Sequence, residues 1–175
     1  SATANTAVGS NALFNNTTGR DNTALGFEAL RTNGIAGFNT AIGSGALRRN
    51  TGAENTAVGS TAMYNNTSGF ANSAFGNGCM QGNISGDANT AMGYFVLRNN
   101  TSGQRNTVVG CNAMLGNTTG SHNTAVGWRA DVTSPNLFNA SAFGRSALVN
   151  ANNKIRIGAP SVTVVEGPFV YSPSD

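Results

Sequence analysis

Residues 55–71 read NTAVGSTAMYNNTSGFA, and variants of this phrase fill most of the chain. Its opening five residues recur in nine copies, which begin at Asn5, Asn22, Asn39, Asn55, Asn72, Asn89, Asn106, Asn123 and Ala140. The spacing is 17 residues, except for 16 between Asn39 and Asn55. A shorter copy starts at Lys154. We therefore predict about ten coils of one repeating unit, numbered here from these starting residues, with 17 columns in each coil.

Several columns keep one type of residue from coil to coil. Column one is Asn in eight of the nine copies, column two is Thr or Ser, and column three is Ala except for Val108. Column four is always apolar and column five is always Gly. Column eight is small, column nine is Leu or Met except for Asp131, and column twelve is Asn as far as Asn117. This regularity indicates that each coil repeats the same structure.

The recurring glycines exclude a helix, because Gly interrupts the pattern every few residues. The phrases instead predict an all-β parallel β-solenoid, or β-roll, with two short strands per coil. Stacked copies of a strand lie about 4.8 Å apart. At that distance the amides of the Asn in column one can hydrogen-bond in a row along the axis.

Side chains alternate between the two faces of a strand. The favoured assignment places columns four and nine inside the coil and leaves the Ala columns as flat outer faces. The inverse, with Ala inside, stays open. A thin core and flat faces predict packing against further copies, as a parallel homotrimer.

Charged residues are only 10% of the chain, and a net charge of +3 is spread over many repeats. No basic cluster interleaved with aromatic residues points to nucleic acid. No apolar stretch approaches the ~20 residues of a membrane span. The chain begins within the pattern at Ser1, which predicts a segment of a longer protein.

Residues for catalysis or metal binding do not come together in the repeat. The only histidine, His122, has no second His or Cys at a matching phase, so no metal site or cofactor is expected. The acidic residues fall in different columns, so no pair is set for acid–base chemistry and the chain is not predicted to be an enzyme. Cys79 and Cys111 differ in phase and are expected to be free thiols.

Large side chains at outward columns are the candidate receptor contacts, because a uniform scaffold does not require them. Packing between neighbouring turns or chains is the alternative explanation. The candidates occupy columns ten and six and are Arg31, Arg48, Arg98, Phe27, Tyr94 and Trp128.

The repeat resembles the β-roll heads of trimeric autotransporter adhesins, and resembles still more the Asn-Thr-Ala-x-Gly arrays of phage tail-fibre-like proteins. The tail, residues 153–167, is similar to the segment that joins such arrays to an endosialidase-type intramolecular chaperone. That resemblance implies assembly as a trimer. It also implies a chaperone cleavage junction at Ser174 and Asp175.

We therefore expect a β-roll domain over 1–158 and a C-terminal extended segment over 159–175 that leads to a chaperone. The expected function is a structural and adhesive segment of a trimeric tail fibre or surface spike. Such a fibre is extracellular, on a virion, injection system or cell-surface appendage. It contacts a cell-surface glycan or protein, and fibre or baseplate proteins of a phage-like particle. The alternative is an ice- or surface-binding solenoid that presents Thr and Asn ladders, although Thr would then share a face with the column placed inside.

Overall fold

The computed structural model describes residues 2–162 and contains twelve short strands joined by turns. Ten of them form one parallel sheet in the order β1-β2-β3-β4-β5-β6-β7-β8-β10-β12, and β9 pairs with β11 in a second parallel sheet. The bounds are β1 Thr6–Val8, β2 Thr23–Leu25, β3 Thr40–Ile42, β4 Thr56–Val58, β5 Ser73–Phe75, β6 Thr90–Met92, β7 Thr107–Val109, β8 Thr124–Val126, β9 Asp131–Val132, β10 Ser141–Phe143, β11 Leu148–Val149 and β12 Ile155–Ile157. This confirms an all-β parallel solenoid of about nine turns.

The pairing register follows the repeat residue by residue. Thr6 lies opposite Thr23, and Thr40 lies opposite Thr56 although that coil has one residue fewer. The shortening falls in the polar turn, where the Asn50 amide reaches the carbonyl two residues on at Gly52 instead of three. The turn therefore absorbs the missing residue and leaves the sheet in register.

The predicted face assignment is half wrong. Column nine lies inside, as predicted, and Leu30 and Met63 are fully buried. Column four lies outside, whereas the Ala of columns three and eight fills the interior, as at Ala57 and Ala62. In β2 to β8 and in β10 the middle residue of the strand is buried, and a coil this narrow has room there only for a small side chain.

The prediction of two strands per coil holds only in coils eight and nine, where β9 and β11 form. In coils one to seven the second segment is a turn, because column nine adopts positive φ, as at Leu30 (φ 49) and Met114 (φ 51). That left-handed conformation turns the large side chain into the core. Asp131 and Leu148 do not adopt it, so their segment is extended and places Val132 and Val149 inside instead.

Two Asn ladders run through the interior. In column one the predicted ladder is confirmed, with Asn106 Nδ2 3.0 Å from Asn89 Oδ1. Column twelve forms a second ladder, in which Asn83 Nδ2 donates to Asn66 Oδ1 at 2.7 Å. Amides of both ladders also donate to a turn carbonyl such as Gly103 O. Buried amides are stable here because nearly every one of them has partners.

Candidate functional site

The three arginines of column ten are held by acidic and polar neighbours. Arg31 and Arg48 share Glu28: Arg31 Nε lies 3.3 Å from Glu28 Oε1, and Arg48 Nε pairs with Glu28 Oε2. The hydrogen bond from Arg48 lowers the pKa of Glu28, and the positive charges of Arg48 and Arg31 lower it further. Arg98 donates from Nε to Gln81 at 3.0 Å. One carboxylate thus offsets part of the charge of two of these arginines.

Aromatic rings accompany the same arginines. The Arg48 guanidinium lies 5.4 Å from the centre of the Tyr64 ring, and that of Arg98 lies 4.4 Å from the Phe95 ring. Tyr94 contacts Phe95 with ring centres 4.1 Å apart. Phe27 is 54% exposed and Tyr94 is 50% exposed. The column-six aromatics are therefore accessible, and the column-ten arginines take part in local packing.

Trp128 lies in a second cluster, in coils eight and nine. Its ring has two guanidinium groups near it, Arg129 at 5.2 Å and Arg145 at 5.1 Å. Neither arginine forms an ion pair with a carboxylate in the part of the chain that the structure describes. Two positive charges therefore lie together here, and that of Arg129 also acts on the nearby carboxylate of Asp131, whose pKa burial raises and this charge lowers.

A cleft of about 400 Å³ opens beside this cluster. Three successive coils contribute to its walls, with two polar side chains, two leucines, one cation and one carboxylate: Asn112, Leu115, Arg129, Asp131, Ser146 and Leu148. Arg129 belongs both to the cleft and to the Trp128 cluster. The cleft therefore offers a cation and several hydrogen-bonding groups, and Arg129 connects it to the Trp128 ring beside it.

The Asp131 carboxylate replaces a backbone acceptor at the point where the cleft opens. In regular coils the column-eleven N–H donates to the column-ten carbonyl of the next coil, as from Asn15 to Arg31 at 2.9 Å. Where coil seven meets the extended segment of coil eight, the Gly116 N–H donates instead to the Asp131 carboxylate at 3.1 Å. Burial raises the pKa of Asp131, although hydrogen bonds from the Val132 and Gly116 N–H groups act in the opposite direction.

The third feature is an apolar row on the outer face of the ten-stranded sheet. It consists of the column-four side chains, most of them between 36% and 56% exposed, with Val58 half-buried. The apolar row comprises Val8, Leu25, Ile42, Val58, Phe75, Met92, Val109, Val126, Phe143 and Ile157. The Thr and Ser of column two point to the same side and are exposed or half-buried.

The sequence predicted Trp128 as a contact residue but missed the groups around it. Asp131 was visible as the one departure from Leu or Met in column nine. Arg129 occupies column seven, which varies from coil to coil, and Arg145 is a large residue in column six that was not singled out. The apolar row was seen as a column but was placed on the wrong face.

The remaining candidates are separate from these surfaces. His122 packs on Phe138, with ring centres 4.9 Å apart. Cys79 is buried and Cys111 half-buried, and both are free thiols. Within residues 2–162 no group of three His, Cys, Asp or Glu residues is placed to hold a metal, and no helix is long and apolar enough to cross a membrane.

The predicted junction at Ser174 and Asp175, like most of segment 159–175, lies outside the described residues. Comparison of the chain with family models, with curated proteins and with solved structures finds no significant match.

Proposed function

We propose that the chain is a structural and adhesive segment of an extracellular fibre, built from three parallel copies that pack through the apolar row. The fibre contacts a cell-surface receptor, with a glycan favoured. The resemblance of the repeat to tail-fibre arrays adds fibre or baseplate proteins of a phage-like particle as partners. The proposal gives the chain no catalytic role.

The exposed apolar row is the observation that carries this proposal. Soluble monomers rarely expose continuous apolar patches of more than a few hundred Å², and larger ones mark interaction surfaces. The row repeats once per coil, at the strand spacing of about 4.8 Å. A second copy of this chain offers a row with the same spacing, so parallel copies in register bring like side chains together at every level.

The original reason for expecting a trimer was the flat Ala faces, and those faces are in the interior. The apolar row now supplies the reason. It favours a parallel arrangement of the copies. In parallel copies Phe75 and Phe143 each meet the same residue of the next copy, whereas in an antiparallel pair they would meet different side chains. Three as the number of copies rests on the resemblance to trimeric fibres.

Light scattering of the purified chain tests the assembly. The expected mass is three times that of the 17.8 kDa chain. Replacing Phe75 and Met92 by Asp should give monomers, because carboxylates would be buried in the interface without partners. The matched control replaces Ile35 and Ile84 by Asp, since both are exposed apolar residues outside the row. A monomeric wild type, or an equal effect of the control pair, would contradict the proposal.

Receptor contact is tested on the column-ten arginines. Repeated weak contacts on a trimer act together through avidity, so an acidic glycan is favoured over a neutral one. Substituting Ser for Arg31, Arg48 and Arg98 should weaken attachment to beads that carry polygalacturonate at low salt. The difference should shrink at moderate salt, because ions screen exposed charges over about 10 Å. A control that removes three other cations, at Arg20, Arg105 and Lys154, separates contact from net charge, and equal losses would refute a specific role.

Ice or surface binding is the second candidate, and the exposed column-two Thr row favours it more than the sequence suggested. The earlier objection was that Thr would share a face with a buried column, but column four is exposed. Against a flat lattice match, Phe75, Met92 and Phe143 interrupt the regular height of the same face. Thermal hysteresis of the purified chain decides between the two, and the fibre proposal expects none.

A further inference from the structure

We infer that the cleft between coils seven, eight and nine binds a saccharide that carries a carboxylate, with Trp128, Arg129 and Asp131 as its main contacts. The inference rests on the proposed glycan contact and gives it a location and a ligand class. The cleft is a second contact, separate from the column-ten arginines, two of which are paired with Glu28.

The cleft results from a change in backbone conformation. Coils one to seven turn at column nine with positive φ, whereas coils eight and nine are extended there. The side chains of Asp131 and Leu148 consequently point outward, in a column that is buried at Met114 one coil earlier. The cleft lies at this step, and it is wide enough for a small ligand, since such sites usually span about 300–1,000 Å³.

The charges of the site favour an anion. Arg129 and Arg145 place two guanidinium groups near one indole ring, and Asp131 is the one carboxylate that lines the cleft. That carboxylate is already held by the N–H groups of Gly116 and Val132. A guanidinium group can bind a ligand carboxylate through two parallel hydrogen bonds, which adds direction to the attraction.

The uncharged groups favour a sugar over a simple ion. Trp128 is 42% exposed, so its ring offers an apolar surface to the C–H face of a pyranose. Asn112 and Ser146 line the cleft and can exchange hydrogen bonds with hydroxyl groups. Asp131 keeps lone pairs that can accept a hydroxyl hydrogen. Leu148, 43% exposed, adds a further apolar contact.

Trp128 is the only tryptophan of the chain, so tryptophan fluorescence reports on this site alone. We would titrate the purified protein at physiological ionic strength with trigalacturonic acid and with sialyllactose, and follow tryptophan emission. Maltotriose and lactose are the neutral counterparts, and inorganic phosphate is the simple anion. The expected result is a saturable change with the acidic sugars and none with the neutral sugars or phosphate.

Arg129→Gln should raise the Kd for the acidic sugars by about tenfold or more, as expected for loss of a charge-assisted hydrogen bond. Arg20→Gln is the matched control, because it makes the same change on an exposed side chain in coil one. Both arginines are exposed, so both variants should melt like the wild type.

Three results would overturn the inference: no emission change with either acidic sugar, equal changes with acidic and neutral sugars, or equal weakening by the two variants. The outcome is separable from that of the fibre proposal. If the chain is a trimer that attaches to polygalacturonate beads but Trp128 emission does not change, the cleft proposal is refuted and the fibre proposal stands. If the chain is a monomer whose Trp128 emission changes with acidic sugars, the fibre proposal is refuted and the cleft proposal stands.

Discussion

Gly110→Ala should strongly destabilise the solenoid, because successive coils approach closely at column five. Gly110 has φ +144, a conformation that side chains rarely adopt. A Cβ atom there would lie 2.4 Å from the Gly127 carbonyl oxygen and 2.8 Å from its carbon. Both atoms belong to the backbone of the next coil, so no side-chain rotation relieves the overlap.

The size of the effect follows from these two contributions. Backbone strain at such a position costs about 1–3 kcal/mol. Forcing an extra methyl into a close-packed contact adds about 1–3 kcal/mol. We therefore expect the free energy of unfolding to fall by about 2–6 kcal/mol. At a slope of about 2 kcal/mol per molar urea, the midpoint falls by about 1–3 M.

Gly34→Ala is the matched control. Gly34 also has positive φ (+61), but a Cβ atom there meets nothing within 4 Å. Ala adopts this left-handed conformation elsewhere in the chain, as at Ala71 (φ 54), so the expected cost is only about 1 kcal/mol.

Urea unfolding at fixed protein concentration, followed by Trp128 emission, is the assay. Trp128 directly follows Gly127, so its emission reports on the coil that the new methyl would disturb. Equal midpoint shifts for the two variants would refute the reasoning, since the contact between coils is what distinguishes them.

Three further predictions follow from single contacts. Ser134→Asn should stabilise the chain by about 1 kcal/mol in thermal or urea unfolding. The new amide would donate to Asn117 Oδ1, the buried oxygen at the end of the column-twelve ladder, which has no hydrogen-bond partner. An unchanged midpoint would show that the new amide does not reach Asn117. The wild type should be more stable than Glu28→Gln at neutral pH and lose that advantage as pH falls through the lowered pKa of Glu28. Relative to Asp131→Asn, the wild type should gain stability as pH falls through the raised pKa of Asp131. Parallel melting profiles of variant and wild type against pH would contradict these expectations. Burial raises the pKa of the Cys79 thiol to about 12, so a thiol reagent at mildly alkaline pH should modify Cys111 alone until the chain unfolds, and rapid reaction of both would show that Cys79 is accessible.

The sequence predicted the solenoid because its period is explicit and Gly at column five excludes a helix. The column-one ladder followed from stacking identical amides. Which side chains face the interior was harder to predict. Alternation along the strand permits either the Ala of column three or the larger apolar residue of column four to lie inside. Coil width decides between them, and that width depends on the positive φ of column-nine residues such as Leu30 and Met63. Bulky Leu and Met in a left-handed conformation are not expected from propensity.

The candidate site was predictable only in part. Trp128 stood out as a large residue in a column of mostly small ones. Its partnership with Arg129 and Arg145 depends on side-chain directions across two coils, which the repeat does not encode. The role of Asp131 depends on the Gly116 N–H, which donates to its carboxylate instead of to a backbone carbonyl where the turn becomes a strand.

The 16-residue coil has a consequence for how such a molecule changes in length. Its missing residue is absorbed in a turn. The strand keeps its register, Asn66 still donates to Asn50, and the Asn55 N–H still donates to Asn39 Oδ1, while the Asn39 amide turns to Asn33. Removing a whole regular coil would therefore join two surfaces that already match, and duplicating one would create no new kind of contact. The reach of the molecule is set by a count of units, adjustable in increments of about 4.8 Å, while its cross-section and its ends stay the same.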